Sequence, residues 1–318
     1  MTKSMSYEVV RRGAGSLLGV AALLLAGTAF AQQRPAITGI SHVTLYADNV
    51  AASRQFYSGL LGWQAVPAKG SEAGIRFYPN HAQYVELLAP PVLGQAHRLD
   101  LVGFATSDAE GLRKFLASKG VAVPASVTMG ADGSRSFVVH DPEGNPVEFM
   151  QMGRSLPSPP ATELARRLST HIMHAGYVVH DRAALDRFYK DALGFHLYWQ
   201  GGAKAGDVDW VMMQVPNGTD WIEYMLNLPA EPTRGQLASA DHMAPGVGSV
   251  AELQKRLEQR GWKAPEGKDP KVLGVDGKMQ IDPHDPDGTR IEFMEFKPVK
   301  APCCSAYTGR QPEASDAW

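Results

Sequence analysis

Cysteine is almost missing from this 318-residue chain: the two that occur, Cys303 and Cys304, are adjacent. Two thiols are too few for a disulfide framework or a thiolate zinc site, so any resident metal must be held by histidine and carboxylate. Adjacent cysteines can close only a strained ring, which leaves free thiols or pairing between chains as the expectation for this pair. Blocks of lysine or arginine are absent too, and 31 basic against 33 acidic side chains leave a net charge of −2. Without the electrostatic footprint that a phosphate backbone demands, nucleic acid is excluded as an expected partner. A long apolar run marks only the start of the chain. Lys3, Arg11 and Arg12 precede the apolar stretch from Leu17 to Ala26, and Ala29-Phe30-Ala31 follows it. This is the pattern of a secretory signal peptide over residues 1–31, and the run falls short of the roughly 20 strongly apolar residues of a membrane anchor. The expectation is an exported protein, periplasmic or secreted, with no membrane contact after cleavage and a small molecule as its partner. The sequence sets no oligomeric state.

What is present is globular: 44% hydrophobic and 20% charged residues are enough to build a core, and the length suits two domains. The chain also repeats itself. Ile40-Ser41-His42-Val43, Arg54-Gln55-Phe56-Tyr57 and Leu61-Gly62-Trp63 return as Ile172-Met173-His174-Ala175, Arg187-Phe188-Tyr189 and Leu193-Gly194-Phe195, with the same spacing from His to aromatic. Asp141-Pro142-Glu143-Gly144 followed by Glu148-Phe149-Met150 returns as Asp285-Pro286-Asp287-Gly288 followed by Glu292-Phe293-Met294. Within each copy a strand, an amphipathic helix and further strands occur twice. Helical stripes follow Asp48 and Asp181, Gly120 and Gly261 terminate two more helices, and Ser249-x-x-Glu252 reads as a capping box. The fold class is therefore α+β: two tandem domains, over 32–153 and 169–298, each built of paired βαβββ modules. A Pro-rich linker over 154–168 separates them, and a tail over 299–318 lacks periodicity and should hang loose.

These modules, with His on the first strand, an apolar-Glu-apolar strand and Asp-Pro-x-Gly followed by Glu, resemble the vicinal oxygen chelate superfamily of glyoxalase I, fosfomycin and bleomycin resistance proteins and extradiol dioxygenases. The resemblance implies cupped mixed sheets and four ligand positions per cup. In the second copy these fall on His174, Glu223, His242 and Glu292. In the first they fall on His42, Glu86, Leu101 and Glu148, because the count back from Gly261 that reaches His242 reaches Leu101 from Gly120. One complete set per chain implies one divalent ion, which could be Zn, Ni, Co, Mn or Fe(II). In this superfamily a cup closes within one domain or is shared between two; the shared form would use His42, Glu86, His242 and Glu292.

A lone Glu on a half-buried strand ordinarily faces solvent. Four of them matched to His-bearing strands point instead to ligation, since a carboxylate buried among apolar residues needs a cation, a proton or a hydrogen-bond donor. His171 has the opposite strand parity to His174 and should face away, and His140 and His284 belong to turns. Trp221 and Met225 share the strand face of Glu223 and Arg290 that of Glu292, so these three are candidate substrate contacts. The ligand set implies a glyoxalase-like, metal-dependent lyase or isomerase acting on a small α-hydroxycarbonyl compound, with Glu292 as base and Glu223 opposite it. The alternatives are an Fe(II) extradiol-type dioxygenase using His174, His242 and Glu292, and a non-catalytic protein that sequesters a ligand. Against the dioxygenase, the position of its usual Tyr reads Asp282, and no His stands between Val272 and Lys278.

Overall fold

The computed structural model describes residues 1–2, 33–68, 74–154 and 160–316. All but the first two residues of the expected leader, and residues 155–159 of the Pro-rich linker, lie outside the described residues. The first domain runs β1 (Ile37–Tyr46), α1 (Val50–Arg54, continued by π-helical turns over Gln55–Leu60), β2 (Gln64–Pro67), β3 (Ile75–Tyr78), β4 (Tyr84–Leu88), β5 (Leu99–Thr106), α2 (Ala109–Ser118), β6 (Thr128–Met129), β7 (Arg135–His140) and β8 (Pro146–Gln151). After α3 (Ala161–Leu164), the second domain repeats the pattern. It comprises β9 (Ile172–Val178), α4 (Arg182–Asp186, continued by π-helical turns over Arg187–Ala192), β10 (His196–Gly201), β11 (Trp210–Gln214), β12 (Trp221–Met225), α5 (Arg234–Ala240), β13 (His242–Val247), α6 (Val250–Gln259), β14 (Lys271–Leu273), β15 (Met279–Ile281) and β16 (Phe293–Glu295). The helix α5 breaks the repeat: no helix joins β4 to β5 in the first domain.

The two eight-stranded sheets have the same order, β2-β3-β4-β1-β5-β8-β7-β6 and β10-β11-β12-β9-β13-β16-β15-β14. Modules join inside each domain, through antiparallel β1–β5 and β9–β13, while β1–β4 and β5–β8 are parallel. This topology corrects the shared-cup alternative: each cup closes within its own domain.

Local signals in the sequence account for most element ends. Asp181, Asp108 and Ser249 accept hydrogen bonds from the backbone N–H of Ala184, Gly111 and Glu252, which caps α4, α2 and α6. The first helix is capped by Asn49 rather than Asp48, whose carboxylate accepts from Arg98 and from Gly94 N–H instead. Both Asp-Pro-x-Gly segments are turns in which Asp141 or Asp285 accepts from two later backbone N–H groups, with Gly144 and Gly288 at φ 90°.

One core runs through both domains and includes Phe56, Tyr57, Phe188 and Tyr189 from the helical stripes. Fully burying each such side chain contributes about 1.5–3 kcal/mol. Where β1 and β9 begin, Gln83 donates to Ile40 O at 2.9 Å and Ile172 O at 3.0 Å and accepts from Ile172 N. Asp220 accepts from Ile40 N at 2.8 Å and pairs with His171 at 2.7 Å, so His171 does turn from the cup and serves this junction. Among the described residues no helix is long and apolar enough to cross a membrane.

The tail does not hang loose. Thr308 N donates to Tyr198 O at 3.0 Å, the Tyr307 hydroxyl donates to Asp276 Oδ2 at 2.9 Å, and Tyr198 OH donates to Gln311 at 2.6 Å. Aperiodic chain can dock through backbone bonds and single aromatic anchors, which no hydrophobic pattern announces. Cys303 and Cys304 are also joined to each other, against the expectation of free thiols or pairing between chains.

Candidate metal centre

The four second-domain positions converge because of strand register. Glu223 on β12 and His242 on β13 are both register partners of Gly176 on the central strand β9. A Cβ at Gly176 would lie 2.1 Å from His242 Cε1, so only glycine lets the imidazole fold over β9. His174 sits on the same strand, and Glu292 is carried in by its N–H bond to Met243 O on β13. The imidazole Nε2 atoms of His174 and His242 are 3.0 Å apart. Glu292 Oε2 lies 3.1 Å from the first and 3.0 Å from the second. Glu223 Oε2 is 3.3 Å from His242 and 3.8 Å from His174. All four ligand atoms fall within 4.8 Å of one another, and all four residues are buried.

This donor set fits a divalent ion. Donors held about 2.1 Å from a common centre at right angles to one another are about 3.0 Å apart, which is the spacing of the tightest three. His242 Nδ1 lies 2.8 Å from Ala240 O; donating its proton there leaves the Nε2 lone pair facing the cluster. His174 lies on Trp221 with ring centroids 4.6 Å apart, and its Nδ1 has no hydrogen-bond partner among the described residues.

Charge makes the same demand. Glu223, Glu292 and Asp282 face one guanidinium, Arg290, whose NH1 lies 3.3 Å from Glu292 and 3.9 Å from Asp282. Burial would raise the Glu292 carboxyl, but Arg290 and the two imidazoles outweigh it and hold the group well below its ordinary value. Burial lowers His174. Burial and Arg290 also pull His242 down, yet its hydrogen bonds to Glu223 and Glu292 hold it at about 9, so without metal it carries the proton that offsets the carboxylates. Burial and the Glu292 charge push Asp282 up to about 6.

The cluster opens into a cavity of about 690 Å³. Glu223, Glu292 and Arg290 reach it, with Met225 and Met212 on the sheet side, and α5, the end of β14 and the loop after it, over 272–276, complete its walls. Of the three expected substrate contacts, Arg290 and Met225 line this cavity. Trp221 does not: it is fully buried beneath His174, because a large ring on the correct strand face packs under the neighbouring imidazole. Sequence reasoning missed α5, whose Thr233–Gln236 capping box was a readable signal, and Asp276 and Trp199 in the wall.

Among the described residues the first cup has no such cluster. His42 is folded against Glu148 at 2.9 Å, and Glu86 accepts from Arg76 at 3.2 Å. His42 and Glu86 therefore do not join His242 and Glu292, which removes the shared ligand set. Register also confirms the missing ligand: Leu101 pairs with Thr44 where His242 pairs with Gly176.

The family model described as the Glyoxalase/Bleomycin resistance protein/Dioxygenase superfamily matches residues 39–149 and 171–293, and the chain belongs to that superfamily. Among solved structures, the 2,3-dioxygenase LapB from Pseudomonas sp. KL28 is similar in fold, with TM-score 0.66 and 14% identity, over 85% of this chain and 99% of that one. Homoprotocatechuate 2,3-dioxygenase from Brevibacterium fuscum, in complex with 3,4-dihydroxyphenylacetate, gives TM-score 0.62 and 17% identity over 88% of this chain and 84% of that one. The enzyme of the same name from Arthrobacter globiformis gives 0.61 and 16% over 82% and 80%. No curated protein sequence matches the chain.

Proposed function

We propose that the protein is a metal-dependent lyase or isomerase that moves a proton between neighbouring carbons of a small α-hydroxycarbonyl compound. The observation that carries this reading is Glu223, buried inside the ligand cluster with its Oε2 3.3 Å from His242 Nε2. His174, Glu223, His242 and Glu292 would hold the ion as four ligands, which would leave two of six places for the paired oxygens of such a substrate. A catechol and O₂ together need three. The bound ion would supply Lewis acidity at the substrate carbonyl.

The residues divide the remaining work. His174, His242 and Glu292 would be the three tightest of the four ligands, and the depressed Glu292 carboxyl suits a permanent ligand better than a base. The base is then Glu223, the cavity-lining member of the four that stands farthest from the imidazoles, rather than Glu292 as the sequence suggested. Arg290 presents a cation to an anionic part of the substrate, Met225 packs against its carbon skeleton, and the cavity wall limits water. Export before folding is part of the same proposal, tested by the N-terminal sequence of secreted material.

A second reading, an Fe(II) extradiol-type dioxygenase, is favoured by the closeness of the triad relative to Glu223. One experiment separates them. Metal-loaded protein is given hydroxyacetone in D₂O and, separately, catechol under air, as wild type and as Glu223→Gln. The proposal expects deuterium incorporation without O₂ uptake, reduced by two to four orders of magnitude in the variant, the usual scale for loss of a general base. Stoichiometric O₂ uptake with catechol, dependent on Fe(II) and surviving Glu223→Gln, contradicts it.

A further inference from the structure

We infer that the Cys303–Cys304 disulfide is a reversible redox-modification site that staples two walls of the metal cavity together. The bond joins adjacent residues of the docked tail, and both are solvent-exposed, so small thiols can reach them. The peptide that carries the bond touches the cavity on both sides. Cys303 N–H donates to Val275 O at 2.8 Å, and Trp199 Nε1–H donates to Cys303 O at 3.2 Å. Val275 belongs to the loop that forms one wall and Trp199 to β10 in the other, and both line the cavity.

The neighbouring tail residues extend the clamp. Ser305 Oγ accepts from Gln200 N at 3.0 Å and donates to Gln200 O at 2.8 Å, and Tyr307 OH binds Asp276, a third cavity-lining residue. Gly201 leaves room for the Trp199 ring and the cysteine pair together, since a Cβ there would lie 2.6 Å from Trp199 Cζ2 and 3.1 Å from Cys304 Cβ. Cys304 is the one non-glycine residue among those described with positive φ, at 74°. An L-residue holds that conformation only when something imposes it, and here the closed ring does. Once the ring opens, Cys304 can return to ordinary backbone angles, and the Cys303 peptide is no longer held between Val275 and Trp199.

The chemistry balances with a small-molecule thiol as reductant. One thiolate attacks a sulfur of the pair to form a mixed disulfide, and the other cysteine leaves as thiolate. A second thiolate attacks the mixed disulfide and departs as the oxidised reductant. The pair gains two electrons and two protons, and a small-molecule disulfide reverses both steps.

The test uses the full mature chain, metal-loaded, before and after dithiothreitol without denaturant, with thiol titration and amide hydrogen exchange. The inference expects no titratable thiol before reduction and two after it. It also expects exchange at least tenfold faster over 198–201 and 272–276, with unchanged metal content. The Cys303→Ser, Cys304→Ser double variant should exchange at the reduced rate whether or not dithiothreitol is present, and reduced wild type blocked with iodoacetamide gives the same reading if that variant folds poorly. Two free thiols in the untreated protein, no thiols after reduction, or identical exchange in both states would each overturn the inference. None of these readouts depends on which reaction the cavity catalyses.

Discussion

The two cups share strand order, the helical stripes, the Asp-Pro-x-Gly turns and a histidine stacked on an aromatic ring, His42 on Tyr84 and His174 on Trp221. They differ in what occupies the centre. At the register position of Gly176 the first cup has Thr44, at that of His242 it has Leu101, and at that of Met212 it has Arg76. Arg76 gives Glu86 a permanent cation, and its guanidinium also lies 4.3 Å over the Tyr84 ring. His42 meanwhile folds over Gly103, where a Cβ would clash with it at 2.2 Å; the second cup has Ala244 at that position. One scaffold thus carries a cup neutralised from within and another that calls for a cation from outside, and a few central side chains decide between them.

Removal of a ligand should separate the two cups most strongly. His242→Ala should leave the metal-stripped and reloaded protein with almost no ion after desalting, whereas His42→Ala should keep the full amount. Equal losses, or none, would place the metal elsewhere. A smaller effect comes from the supporting glycine. Gly176→Ala pushes a methyl group into the His242 ring and should weaken metal binding by about 10- to 100-fold, the scale seen when residues that orient ligands are lost. The converse change sharpens the point: Thr44→Gly, Leu101→His, Arg76→Met and Gly103→Ala together should give the first cup a weak second ion, detected as a second step in a metal titration. A single unchanged step would show that these positions do not decide the difference.

The smallest effect is on pH. In the metal-free site His242 carries its proton up to about 9, and an ion must displace that proton. Affinity should therefore fall by about tenfold per pH unit as pH drops below 9, and flatten above it. Calorimetry in buffers of different ionisation enthalpy should report about one proton released per ion bound at pH 7. Affinity independent of pH between 6 and 9 would mean that His242 is neutral without metal.

The repeat and its helical stripes were legible because hydrophobic periodicity and recurring motifs encode them directly, whereas the cups and the ligand strands followed from the resemblance to the vicinal oxygen chelate superfamily. Glu292 was legible from its turn, although it lies just before β16 rather than within it. The choice of cup closure was not, since β1–β5 and β9–β13 pairing is a long-range selection that local pattern leaves open. The helix α5 escaped because Arg234-Gly235-Gln236-Leu237-Ala238-Ser239-Ala240 offers a single large apolar side chain, and its place is set by packing of Leu237 with Val178 and Met225. Nothing in the sequence around Gly176 announces its role, which comes only from its register beneath His242. Trp221 had the correct parity for the cavity, but parity says which face a ring leaves from and not what it then packs beneath.

Among the described residues only the second cup brings together donors that could hold an ion. The direct measurement is a titration of metal-stripped protein with Co²⁺, followed by visible absorption and by metal analysis after desalting. One Co²⁺ per chain, lost in His242→Ala and kept in His42→Ala, is the predicted result. Two tightly held ions per chain, or none, would contradict it.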